Sequence, residues 1–76
     1  MNKKLFRSVM VLHDDTNASL AKFLGITEQS LSNKINENGT EFKQSEITKI
    51  KNRYCLTADM VDRIFFATNV SDLDTE

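Results

Sequence analysis

The sequence predicts an all-α fold, and three observations carry that prediction. The chain has no proline and only two glycines among its 76 residues, so little interrupts a helix. Its apolar residues recur three and four apart rather than in alternation, which is the spacing of one helix face and not of a strand. Asn2, Thr16, Thr27 and Thr57, whose side chains can accept from free backbone N–H groups, each stand just ahead of such a stripe. The expected domain is a compact five-helix unit over residues 1–67, followed by an acidic, frayed tail over 68–76. At this length a single core is only marginally stable and too small to enclose a large substrate cavity.

The first helix, capped by Asn2, is expected to run to about His13. Leu5, Phe6, Val9 and Leu12 lie on its buried side, and Met10 and Val11 broaden that side. Lys3, Lys4 and Arg7 fall on or near the exposed side. They read either as solvated surface or as phosphate contacts, and solvation is the more economical reading because exposed lysines are ordinary. His13-Asp14-Asp15 makes the next connection. No nucleophile or cavity accompanies this trio, and a histidine at a helix C-terminus suits the dipole without any chemistry.

The second helix begins after Thr16 and carries Leu20, Ala21 and Leu24 on one face, while Phe23 is expected to pack against the first helix. Gly25 ends it, since the residue past a helix often takes a left-handed conformation that glycine adopts freely. Ile26 then returns to the core and Thr27 caps the third helix. Leu31 and Ile35, four apart, face inward; stepping from them by the helical period puts Gln29, Asn33 and Asn36 at the centre of the outward face, with Ser30 and Ser32 flanking. Amides and hydroxyls in place of lysine and glutamate suit bidentate reading of base edges in a DNA major groove.

Glu37-Asn38-Gly39-Thr40 forms a turn in which Gly39 can take positive φ. Phe42 is placed to staple onto Ile47 as the chain enters a fourth helix over Lys43 to Arg53, with Ile47 and Ile50 inward. Lys49, Lys51 and Arg53 lie towards its far end, where cations offset the helix dipole. Tyr54-Cys55-Leu56 reads as a short connection. Thr57 caps the fifth helix, in which Met60, Val61, Ile64 and Phe65 follow helical spacing. Phe65 and Phe66, being adjacent, cannot both face one core, which leaves a ring for a partner or for cover by the tail or first helix.

Small Ala21, Gly25 four residues on and apolar Leu31 six further on, with apolar Leu20, Leu24 and Ile26 around them, resemble the helix-turn-helix of the lambda-repressor-like (Cro/CI, Xre) family. The resemblance covers about the first two thirds of the chain, and the rest is similar to small phage-type regulators that append one more helix. One departure is Lys34 with Ile35, because many members place the last apolar residue of this helix one position earlier. The resemblance implies a five-helix DNA-binding domain acting as a transcription regulator of the phage or prophage Cro-like kind, a dimer on double-stranded operator DNA with each recognition helix on a half-site. It implies base reading by Glu28, Gln29, Ser30, Ser32 and Asn33. Phosphate contacts are implied for Asn17, Thr27, Lys34, Asn36 and Lys43, and for N–H groups of the loop after the third helix. Asn17 and that loop read equally well as ordinary solvent-facing residues.

The net charge of −1 hides an asymmetry. Met1 to Arg53 holds nine Lys and Arg against six Asp and Glu, a balance of +3, whereas Tyr54 to Glu76 holds one against five, a balance of −4. A basic body with an acidic C-terminal part is compatible with nucleic-acid binding. The acidic third and Glu28 speak for an alternative, a protein-interaction modulator or antirepressor of the same fold acting on another phage regulator. An enzyme is disfavoured, since no paired carboxylates, nucleophile set or phosphate-cradling loop is evident. A lone Cys55 and a lone His13 give no internal disulfide and no metal-ligand spacing, so neither metal nor cofactor is expected. The absence of a membrane-length apolar run, and of a secretory apolar region behind MNKKLF, leads to the expectation of a cytoplasmic protein.

Overall fold

All four polar residues that precede an apolar stripe cap a helix. The structure is a computed structural model describing residues 1–66, and over that span it is helical with no strand. Asn2 Oδ1 accepts from the Leu5 N–H at 3.1 Å and opens α1, Lys3–Leu12. Thr16 Oγ1 accepts from Ser19 N–H at 3.2 Å and opens α2, Asn17–Leu24. Thr27 Oγ1 accepts from Ser30 N–H at 3.0 Å and opens α3, Glu28–Ile35. Thr57 Oγ1 accepts from Met60 N–H at 3.1 Å and opens the short α5, Ala58–Val61. α4, Gln44–Arg53, is capped from within: the carboxylate of Glu46 reaches back to the Lys43 N–H at 2.8 Å. The tail over 68–76 lies outside the described residues.

Each helix contributes its apolar stripe to one core. Phe6, Val9 and Met10 come from α1, Leu20, Ala21 and Leu24 from α2, Leu31 and Ile35 from α3, and Ile47 and Ile50 from α4, all buried. Leu5 and Ile26 pack against this core while half-buried. Val61 and Ile64 close it from the last segment, where Phe65 meets Phe6 and Phe42 edge-on and those two rings meet tilted, with centroids 5.5 to 5.9 Å apart. The chain start is tied to that last segment by the Asn2 N–H donating to the Ile64 carbonyl at 2.8 Å.

Three expectations are corrected. Leu12 and Val11, assigned to the buried side of α1, are 78% and 73% exposed. The chain folds back over Met10 instead, with the Asp15 N–H donating to the Met10 carbonyl at 2.8 Å, and each further residue turns the face by about 100°. The fifth helix is α-helical for only four residues and continues as a π turn over Asp62–Phe66. In that turn Ile64 is fully buried, Phe65 is half-buried and Phe66 is exposed. Phe23, expected against the first helix, lies instead beneath the guanidinium of Arg53, 4.5 Å from ring centroid to Cζ.

Arg53 belongs to a clamp with no local sequence signature. Its Nε and Nη2 donate to the two oxygens of Asp15 at 2.8 and 3.0 Å, and the hydroxyls of Tyr54 and Ser19 donate to the same carboxylate. His13 lies on Tyr54 with ring centroids 5.0 Å apart. The Arg53 guanidinium holds the Asp15 carboxyl far below the usual carboxylate range, against the opposing effect of burial and with help from Ser19 and Tyr54. Burial first, and then the bond to Asp15, push the Tyr54 hydroxyl well above its ordinary value. The far end of α4 is thereby fixed to the residue just before the α2 cap.

Candidate nucleic-acid interface

The turn between α2 and α3 is short because Gly25 takes φ 75°, ψ 29°. Its N–H donates to the Lys22 carbonyl at 3.2 Å, and the Ile26 N–H reaches back to the Ala21 carbonyl at 3.0 Å. Ile26 is half-buried against the core and Thr27 immediately caps α3. With Leu31 and Ile35 at 0% and 1% exposure, the helix presents the side opposite them to solvent.

That outward side carries the polar set. Gln29 is exposed, whereas Asn33, expected at the centre of the outward face, is half-buried; Gln29 Nε2 donates to Asn33 Oδ1 at 3.1 Å, an i, i+4 amide pair that holds both side chains on one line of the helix. Gln29 Oε1 and Asn33 Nδ2 retain their own acceptor and donor capacity. One turn on, Asn36 is exposed and donates through Nδ2 to the Ser32 carbonyl at 3.0 Å, while its Oδ1 accepts from Lys3 Nζ at 3.3 Å. Ser32 and Ser30 are half-buried on the flanks, and the Ser30 hydroxyl is occupied by that of Thr27 at 3.0 Å. Glu28 is the exposed first residue of the helix, where its charge favours the dipole.

Two of the expected phosphate contacts sit on other helices. Asn17 is exposed in the first turn of α2, and Lys43 is exposed at the N-cap of α4. Thr27 and Asn36 are exposed at the two caps of α3. Lys34 requires a correction. It stands three residues after Leu31, hence on the inward side of α3, and is 7% exposed with its ammonium 3.1 Å from Glu46 Oε1 and 3.4 Å from the Glu41 carbonyl. Burial alone raises the Glu46 carboxyl, but the Lys43 N–H and the Lys34 ammonium more than offset it and hold the group below its ordinary value. Lys34 is thus engaged within the fold and is not offered to a phosphate.

The face of α3 consequently has no free cation of its own. Positive charge comes from its edges, Lys3 against Asn36 and Lys43 at the start of α4. The bond from Lys3 to Asn36 joins the first helix to the third, a link with no local sequence pattern to reveal it. On the inner side, Lys34, Glu41, Phe42, Ile47 and Phe65 are among the residues lining a cleft of about 200 Å³, smaller than a typical small-molecule site. Among the described residues no group of His, Cys, Asp and Glu could hold a metal ion, and no helix is long and apolar enough to cross a membrane.

Comparison with family models, curated proteins and solved structures returns no match.

Proposed function

We propose that the protein is a sequence-specific DNA-binding transcription regulator in which α2 and α3 form a helix-turn-helix of the lambda-repressor-like, Cro-like kind. The observation that supports this reading is the outward face of α3, an amide-and-hydroxyl surface on a helix held by a glycine turn and a threonine cap. In the major groove Gln29 and Asn33 read base edges, with Ser32, Ser30 and Glu28 beside them. Asn17, Thr27, Asn36 and Lys43 meet the backbone and set the register, and Lys3 joins them from the edge of Asn36. The modest positive balance of the body gives weak non-specific affinity, so the working form is a dimer on adjacent half-sites.

Selection of bound duplexes from a random DNA library tests the proposal. Enrichment of one motif is expected, with log affinity falling against log salt by about 0.9 for each phosphate neutralised. Lys43→Ala should make that slope shallower without altering the motif, and Glu28→Gln should relax or switch preference at one base pair. No enrichment, together with no salt-dependent association, overturns it. The second reading, a modulator that binds another regulator, is favoured by the exposed Val11 and Leu12 at the end of α1. Recovery of a protein complex by a chain that ignores DNA would establish that alternative.

A further inference from the structure

We infer that Lys34 and Glu46 are an orienting pair that fixes how α3 is rolled against α4, and so which α3 side chains face outward. Both are 7% exposed, and they are the buried charged residues of the described core. A single atom, Glu46 Oε1, takes the Lys34 ammonium at 3.1 Å and the Lys43 N–H at 2.8 Å, and the same ammonium lies 3.4 Å from the Glu41 carbonyl. The end of α3, the loop after it and the start of α4 therefore meet at one point. Burial of Leu31 and Ile35 sets the inward side of α3 only to within the width of an apolar stripe, because apolar burial is non-directional, and the paired charges narrow that range. A rolled or slipped α3 leaves two charges buried without partners, which penalises every orientation but one. Asn33 directly precedes Lys34, so fixing one side chain inward fixes the azimuth of the other. The orienting role is independent of what α3 binds; its consequence for base reading rests on the function proposed above.

The decisive variant is Lys34→Met combined with Glu46→Gln, which removes both charges while an amide oxygen still accepts from the Lys43 N–H. Residual dipolar couplings on the free protein give the orientation angles of α3 relative to α4, its roll about its own axis included. The double variant should stay folded with an unfolding midpoint equal to or above wild type. Its α3 should be displaced, or averaged, by more than the roughly 10–20° within which a binding constellation must be held. Lys34→Arg, which preserves the pair, should keep the wild-type angle. An unchanged angle in the double variant overturns the inference, and so does its failure to fold, since the pair is then a stability element and not an orienting one. On the random duplex library, discrimination of about 5- to 150-fold per contacted base should fall below about threefold in the double variant with the salt slope unchanged. Retained discrimination by a variant whose α3 has moved overturns the consequence for base reading. If wild type enriches no motif, the DNA reading fails while the couplings still decide the orienting role.

Discussion

α2 is held at its two ends by opposite means. At its C-terminus a single glycine in the left-handed region turns the chain into α3, and every bond involved lies within six residues. At its N-terminus Asp15 gathers Arg53 and Tyr54 from 38 and 39 positions away. The first device depends on backbone conformation and the second on burial of a paired charge. Their failures should therefore differ in size, in pH dependence and in the effect on α3.

The largest effect is expected from Asp15→Ala. Removing one partner of a buried ion pair costs about 3–5 kcal/mol, but the Arg53 side chain keeps 30% of its exposure and regains water, so a loss of about 2–4 kcal/mol in urea unfolding is expected. The same clamp sets the acid limit. Asp15 and Glu46 both titrate below their ordinary values in the fold, so the unfolded chain binds more protons through that interval. Stability should be fully present above about pH 4.5 and decline as pH falls below it, with a shallower acid slope in Asp15→Ala. On the alkaline side, Tyr54 ionises earlier in the unfolded chain, and stability should decline above about pH 10.

Gly25→Val should cost about 1–3 kcal/mol. Nothing lies within 4 Å of a Cβ built at Gly25, so the penalty is conformational and Gly25→Asn should recover much of it. An equal loss for asparagine and valine would refute a purely conformational origin. A smaller effect, of opposite sign, is expected where α4 ends: Cys55 holds φ 53° without being glycine, and Cys55→Gly should raise stability by about 0.5–1 kcal/mol in the same unfolding experiment. Smallest is Gln29→Ala, an exposed change expected to alter stability by less than about 0.5 kcal/mol. Because it also shifts the selected DNA motif under the proposed function, thermal unfolding and library selection on this one variant separate folding from reading.

The contrast between the two ends of α2 also explains what was legible in the sequence. Helix starts were readable because Asn2, Thr16, Thr27 and Thr57 act within three residues of themselves, and Gly25 likewise announces its own turn. The inward pairs Leu31 with Ile35 and Ile47 with Ile50 were readable from period alone. The burial of Lys34 is not legible locally, because a lysine is ordinarily solvated and only the arrival of Glu46 from another helix makes its burial tolerable. Tyr54, in a segment that reads as a connection, is buried for the same reason, through a hydroxyl whose acceptor is remote in sequence. The exposure of Val11 and Leu12 is not legible either, because composition does not say where the chain folds back across α1.

The bond between the Asn2 N–H and the Ile64 carbonyl has a practical consequence for anyone attaching a reporter. It brings the two chain ends of the described fold to one corner, and Lys3, one residue later, already touches Asn36 at the end of α3. A dye, tag or linker fused ahead of residue 1 therefore emerges beside that helix. An internal label at the remote end of α4, such as Lys51, is the informative alternative.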